Sequence, residues 1–186
     1  VHALDGLAPT TIAMKVNNVM RRFADVDSFV TLWFGLLNVR TGQLRYICAG
    51  HPPALVLSAS GKAVELECLD SILGAFDEAE FYESRTILSP GDRLIAYSDG
   101  ATEARSPQGE FLDTEGFISL LLSNAQAPTD ELSGNLMSAI VAYCDGLLRD
   151  DVALLAVEPS LLSSAHGFQQ AEVAVTANPK EIGRAS

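Results

Sequence analysis

Arg93-Leu94-Ile95-Ala96-Tyr97-Ser98-Asp99-Gly100-Ala101-Thr102-Glu103-Ala104 is the stretch around which the chain is organised. Its apolar part lies between the turn signal Ser89-Pro90-Gly91-Asp92 and Asp99-Gly100, which predicts a buried strand ending at Asp99. A second acidic pair, Asp150-Asp151, directly precedes the apolar run of residues 152–157, which predicts another strand. Both acidic sites therefore lie at the margins of predicted strands, and this arrangement suggests a divalent metal.

The composition is that of a globular domain. The chain has 186 residues, of which 48% are apolar and 19% charged, enough for one domain with a full core. Its formal net charge of −12 disfavours a nucleic-acid backbone or an anionic membrane surface as a partner. No apolar run reaches the roughly 18 residues of a membrane span, and the first residues lack the pattern of a secretion signal. We therefore expect a cytoplasmic protein that binds neither nucleic acid nor membrane.

The cysteines Cys48, Cys68 and Cys144 are odd in number, widely spaced and each in apolar surroundings. This pattern predicts reduced core thiols of a cytosolic protein rather than a disulfide framework or a zinc site.

The chain up to Leu88 is predicted to contain one helix followed by strands. Pro9-Thr10-Thr11 can open the helix. Its apolar face is predicted to comprise Ile12, Val16, Val19, Met20 and Phe23. Residues 28–39 and 43–49 predict a hairpin, residues 54–57 and 63–68 a second hairpin, and residues 81–88 one further strand.

Helical spacing dominates after the Asp99 strand. Residues 115–123 and 129–144 predict two helices, and Thr129 is the predicted N-cap of the second. A block of strands flanked by helices predicts an α+β layered sandwich rather than a parallel doubly wound sheet. Residues 159–170 predict a linker, and residues 171–186 predict the start of a second domain or a terminal strand added to the first.

Several short motifs follow one another along the chain. They are Phe29-Val30-Thr31-Leu32, Gly42-Gln43-Leu44-Arg45-Tyr46, Ala49-Gly50-His51-Pro52-Pro53, Leu73-Gly74, Pro90-Gly91-Asp92, Tyr97-Ser98-Asp99-Gly100-Ala101-Thr102-Glu103-Ala104 and Asp150-Asp151. In this order they resemble the PPM-type serine/threonine phosphatases of the bacterial sporulation E and RsbU branch, over residues 1–158. The resemblance implies an α-β-β-α sandwich of two antiparallel sheets with helices outside.

The resemblance also implies metal-assisted hydrolysis of phosphoserine or phosphothreonine. Two Mg²⁺ or Mn²⁺ ions held by carboxylates would lower the pKa of a bridging water and neutralise charge on the phosphoryl oxygens. The family's metal-binding aspartates carry over to Asp99 and Asp150, which are the predicted catalytic residues and metal ligands; Gly100 and Asp151 are secondary metal candidates. The alternative is that Asp99 and Asp150 are turn residues at strand margins.

Two other catalytic groups are weighed against the acids. His51 stands beside a glycine and two prolines, and a structural turn near the site is favoured over a catalytic role for it. A serine hydrolase is disfavoured because Ser98-Asp99-Gly100 lacks the Gly-x-Ser-x-Gly elbow. The regularly spaced oxygens of an EF-hand are also missing from the sequence.

The amino end departs from the family. Residues 1–9 align with the tail of the element that carries the family's bridging aspartate, so that aspartate would fall just before Val1. We therefore expect an amino-terminally truncated domain, with an exposed sheet edge and with weak metal binding or no activity by itself. Asp5 is not assigned as a metal ligand.

The function expected from the resemblance is that of a phosphatase in a stress or sigma-factor signalling pathway. Its expected partner is a phosphorylated protein, an anti-anti-sigma factor. The sequence leaves open whether the chain forms a homodimer. The alternative is a non-catalytic regulatory module of the same fold that binds a phosphoprotein or a partner subunit. Residues 171–182 also resemble the opening strand and helix of a GHKL-type anti-sigma kinase.

Overall fold

The computed structural model describes residues 7–23 and 28–159, together with the backbone of residues 170–177. Its elements, in chain order, are α1 (Pro9–Phe23), β1 (Thr31–Asn38), β2 (Gln43–Ala49), β3 (Leu55–Leu57), β4 (Ala63–Glu65), β5 (Ser84–Ile87), β6 (Arg93–Tyr97), α2 (Asp99–Thr102), α3 (Asp113–Ser123), α4 (Thr129–Tyr143), β7 (Leu154–Val157) and β8 (Gln170–Ala177).

Two four-stranded sheets form the centre of the fold. Their strand orders are β5-β2-β1-β8 and β4-β3-β6-β7, and the strand pairs within them are antiparallel. Helix α1 packs on the first sheet, whereas α3 and α4 pack on the second. The predicted α+β class and its α-β-β-α sandwich of two antiparallel sheets are confirmed.

Three apolar clusters fill the spaces between these layers. The cluster between the sheets includes Trp33, Leu37, Leu44, Tyr46, Leu94 and Ala96. The cluster under α1 includes Ile12, Leu32, Phe34, Leu36 and Ile47. The cluster under α3 and α4 includes Leu55, Ile95, Tyr97, Phe117, Leu136 and Ile140. Alternate residues of one strand enter different clusters because successive side chains point to opposite faces of a sheet.

Strand β1 shows why the sequence has an unbroken apolar run rather than an alternating one. All its residues from Leu32 to Leu37 are buried, since α1 covers one face and the second sheet covers the other. Trp33 stacks on Tyr46 with ring centroids 5.7 Å apart. A Cβ atom on Gly35 would lie 2.6 Å from Cη2 of Trp33, so glycine makes room for the indole ring.

The predicted apolar face of α1 is only partly correct. Ile12 is buried, but Val19 and Phe23 are 57% and 76% exposed, so Phe23 is wrongly predicted as core. Polar contacts with the loop after Leu73 add to the apolar cluster that holds the helix. Asn17 accepts a hydrogen bond from the Gly74 amide at 2.7 Å, and Arg21 pairs with Asp77 at 2.6 Å.

The predicted N-cap of the last helix is also wrong by one residue. Pro128 occupies the N-cap position of α4, and Thr129 is the first helical residue. The Thr129 hydroxyl donates to Glu158 Oε2 at 2.6 Å, so this side chain ties the start of α4 to the residue after β7.

The prediction of reduced cysteines is wrong for two of the three. Cys48 and Cys68 form a disulfide between the end of β2 and the segment after β4, with Cα atoms 4.8 Å apart. The Cys144 thiol is free and buried. Residues twenty apart in sequence meet because the β3–β4 hairpin folds the chain back, a proximity that apolar surroundings alone do not reveal.

Strand β8 pairs antiparallel with β1, from Thr31 opposite Ala177 to Asn38 opposite Gln170. Residues 170–177 thus form an edge of the first sheet. Asp5, Val1, residues 160–169 of the predicted linker and residues 178–186 lie outside the described residues. The second domain over residues 171–186 therefore stays a prediction. Among the helices that the structure describes, none is long and apolar enough to cross a membrane.

Candidate metal centre

Asp99 stands where strand β6 passes into helix α2. All five residues of β6 are buried, and Asp99, one residue beyond Ser98, is the first residue of the helix. Its side chain is half-buried. The buried strand fixes the position of this carboxylate, as the sequence predicted.

The second acidic pair comes to the same place because β6 and β7 are antiparallel. Tyr97, the last residue of β6, lies opposite Leu154, the first residue of β7. The residues that follow β6 therefore lie beside the residues that precede β7. An added Cβ atom on Gly100 would come within 2.3 Å of the Asp151 carbonyl oxygen and 3.5 Å of the Asp150 Cβ atom. The topology thus brings the Asp99-Gly100 and Asp150-Asp151 segments into contact.

Ser98 holds the two segments together. Its amide donates to the Ala153 carbonyl at 3.0 Å. Its hydroxyl donates to the Asp151 carbonyl at 3.2 Å and accepts from the Ala153 amide at 2.9 Å. Ser98 is buried, so these bonds are shielded from water. Sequence reasoning did not assign this role, although a serine preceding Asp-Gly at a predicted strand end was a signal for it.

The acidic loop is open to solvent on its other side. Asp150 and Asp151 are exposed, and the Asp151 amide donates to Asp150 Oδ1 at 2.9 Å. A cleft of about 290 Å³ adjoins both residues. It is also lined by Met137, Leu148, Arg149 and Val152. The carboxylates can therefore be reached from solution.

His51 lies in the turn after β2 and is 3% exposed. Its Nδ1 lies 3.0 Å from the Pro52 carbonyl oxygen, so Nδ1 donates in this contact. Nε2 is buried and has no hydrogen-bond partner among the described residues. Burial lowers the pKa of His51, against the opposing effects of the Pro52 carbonyl and the negative charge of Asp99.

The donor set suits a hard divalent cation. Mg²⁺ is commonly bound by one or two carboxylates, with water completing its octahedron. Asp99 and Asp150 supply such oxygens. Because Gly100 has no side chain, the Asp99-Gly100 segment can lie against the Asp150-Asp151 segment. Within residues 7–23, 28–159 and 170–177, no group of three or more His, Cys, Asp or Glu side chains forms a metal site. The predicted ligand set of Asp99, Asp150, Gly100 and Asp151 stays a prediction.

Comparison with known proteins identifies a sequence family and a fold. Residues 2–160 match the family model described as Stage II sporulation protein E (SpoIIE). Protein IcfG of Synechocystis sp. is 31% identical over 148 residues, which cover 78% of this chain and 23% of that protein. Phosphoserine phosphatase RsbU of Bacillus subtilis is 26% identical over 151 residues, covering 81% of this chain and 45% of RsbU. The chain therefore spans less than half the length of either relative.

Solved structures show the same architecture. The RsbU and RsbW domains of Rv1364c from Mycobacterium tuberculosis match with a TM-score of 0.73 and 25% identity, over 86% of this chain and 44% of that one. The SiaA-PP2C domain of Pseudomonas aeruginosa matches with a TM-score of 0.70 and 19% identity, over 84% of this chain and 64% of that one. At 19% identity the second likeness shows the fold alone.

Proposed function

The chain belongs to the SpoIIE family of PPM-type protein phosphatases, and on this basis we propose that it hydrolyses phosphoserine or phosphothreonine on a signalling protein. The observation that carries the proposal is the contact between the Asp99-Gly100 and Asp150-Asp151 segments. These segments are distant in sequence, and the β6–β7 pairing places them together at the edge of a buried sheet.

Asp99 and Asp150 would hold the divalent cation in this proposal, with Gly100 and Asp151 as secondary candidates. A bound Mg²⁺ or Mn²⁺ supplies an activated water and neutralises charge on the phosphoryl oxygens. The chain's own residues position the ligands: Ser98 directly precedes Asp99, and its hydroxyl bonds to the Asp151 carbonyl and the Ala153 amide on the other segment. The exposed side of the acidic loop gives a phosphorylated protein access to the site.

Relatives support the substrate class and the cation. RsbU is named as a phosphoserine phosphatase, RsbX has been solved in complex with magnesium, and the SpoIIE phosphatase domain after presoaking with Mn. Those properties belong to those proteins, and we extend them to this chain as part of the proposal. We propose a phosphorylated anti-anti-sigma factor as the substrate and the cytoplasm as the location.

The decisive experiment measures Mn²⁺-dependent release of phosphate from a phosphoserine protein. It compares the protein with the variant Asp99→Asn. We expect the substitution to abolish most of the release. Asp130→Asn is the matched control, because Asp130 is exposed in the first turn of α4. Equal phosphate release by the unsubstituted protein and by Asp99→Asn would refute the proposed role of Asp99 in a metal-dependent phosphatase.

A further inference from the structure

A short exposed loop leads from helix α4 to the second pair of acids. Two residues with left-handed backbone conformation follow the helix, Asp145 with a φ of 50° and Gly146 with a φ of 81°. The Gly146 amide donates to the Val141 carbonyl at 2.9 Å, which satisfies a carbonyl of the last helical turn. The helix therefore ends at this turn, and residues 147–151 form an exposed loop before β7.

Arg149 belongs to this loop and lines the cleft of about 290 Å³ together with Asp150 and Asp151. Among the described residues that line the cleft, one guanidinium thus accompanies two carboxylates. Within the described part of the chain, the Arg149 side chain makes no hydrogen bond and no ion pair. It is therefore available to a group that arrives from solution.

Other arginines of the described chain bind partners within the fold. Arg45 pairs with Glu83 at 2.6 Å, and Arg93 donates to the Ala127 carbonyl at 2.8 Å. These contacts join separate elements and give both side chains a structural role. Arg149 has no comparable contact among the described residues, although two carboxylates line the same cleft. A structural ion pair therefore does not account for its position.

The cleft adjoins the place where the two acidic segments meet. Arg149 directly precedes Asp150, whose Cβ atom lies 3.5 Å from the position of a Cβ atom added to Gly100. The carboxylates in the cleft repel a phosphate dianion, and a positive side chain beside them offsets part of that repulsion. A guanidinium also presents N–H donors in a planar fork that matches two oxygens of a phosphate.

We propose that Arg149 is a substrate-binding residue that takes the phosphoryl group of the phosphoprotein. Its guanidinium donates to phosphoryl oxygens, whereas Asp99 and Asp150 serve the divalent cation. The inference rests on the proposed function, since it concerns the same cleft and the same substrate. It assigns opposite charges in one cleft to two different tasks.

The test uses inorganic phosphate, the reaction product, because it binds without turnover. Calorimetry measures phosphate binding in the presence of Mg²⁺, and a separate titration measures Mg²⁺ binding. Arg149→Met is expected to weaken phosphate binding about tenfold or more, as loss of hydrogen bonds to a charged group does. The same variant should bind Mg²⁺ at least as tightly as the unsubstituted protein, because it removes a positive charge beside carboxylates. A merely structural role for Arg149 would not move the two affinities apart.

Two further variants make the test specific. Arg149→Lys should retain part of the phosphate affinity, because an ammonium keeps the charge but not the fork. Arg40→Met is the matched control and should bind phosphate as the unsubstituted protein does, since Arg40 is exposed in the turn before β2.

Equal phosphate affinities of the unsubstituted protein and Arg149→Met would overturn the assignment, as would no phosphate binding by the unsubstituted protein. A protein that binds phosphate through Arg149 but releases none from a phosphoserine protein with Mg²⁺ or Mn²⁺ would contradict the proposed function alone. The two failures are therefore distinguishable.

Discussion

At the residue scale, Gly100 has little room for a side chain. A Cβ atom there would lie 2.3 Å from the Asp151 carbonyl oxygen, which is backbone and cannot rotate away. We expect Gly100→Ala to cost about 1–3 kcal/mol through overpacking and to separate the two acidic segments. Urea unfolding measures the loss.

Gly134→Ala is the matched control for that substitution. Gly134 lies in helix α4, and an added Cβ atom would meet nothing within 4 Å. Alanine there should stabilise the protein by up to about 1 kcal/mol, because glycine is the weaker helix former. If both glycine variants changed stability equally, the close contact at Gly100 would be refuted.

Ser98 gives a second prediction at this scale. Ser98→Ala removes an acceptor from the Ala153 amide and a donor from the Asp151 carbonyl. Leaving such buried backbone groups unpaired costs about 1–3 kcal/mol. Ser138→Ala removes an exposed hydroxyl that bonds only to the carbonyl four residues earlier, and its expected effect is within about 0.5 kcal/mol. Comparable unfolding free energies for the two variants would contradict the bridging role of Ser98.

At the scale of elements, an ion pair ties β2 to the residue that enters β5. Arg45 donates to both carboxylate oxygens of Glu83, at 2.9 and 2.6 Å. The hydrogen bonds from Arg45 lower the pKa of Glu83 below its ordinary value of 4.5. A depressed folded-state pKa means that this stabilisation is fully present above pH 4.5 and is lost as the pH falls through the folded value.

Arg45→Met is therefore expected to destabilise the protein at pH 7, by about 1–2 kcal/mol, and to matter less in more acidic solution. Denaturant unfolding at neutral pH and at progressively lower pH measures this difference. Arg40→Met is the control, since Arg40 is exposed in the turn before β2. A loss of stability in Arg45→Met that did not shrink with acidity would argue against the ion pair.

The elements themselves were largely predictable, and the exceptions have physical causes. The buried strand before Asp99 and the long strand β1 are marked by continuous apolar runs, which any strand between two covered layers needs. The exposed end of α1 was missed because helical periodicity shows a face but not whether anything covers it. The disulfide was missed because it depends on how the β3–β4 hairpin returns the chain. The Ser98 bridge likewise depends on the β6–β7 register.

At the scale of the whole molecule, the candidate site exists only because the fold joins two distant parts of the chain. Asp99 follows β6 and Asp150 precedes β7, with α3 and α4 between them in sequence. The local sequence around the two acids predicted only that each lies at the margin of a strand. The family resemblance implied that both acids bind metal, but the antiparallel β6–β7 pairing that brings their segments together was not predicted.

This convergence predicts strong coupling between the two acids. If Asp99 and Asp150 bind one cation, either single Asp→Asn substitution should remove most of the Mn²⁺ affinity of the parent polypeptide, and the double variant should lose little more. A double-mutant cycle measured by Mn²⁺ titration would then give a coupling energy of about 1–3 kcal/mol, the upper range for residues in one network. The pair Asp150→Asn and Asp130→Asn is the control and should be additive, because Asp130 belongs to the first turn of α4. Additive losses for Asp99 and Asp150 would mean that they serve separate ions or none.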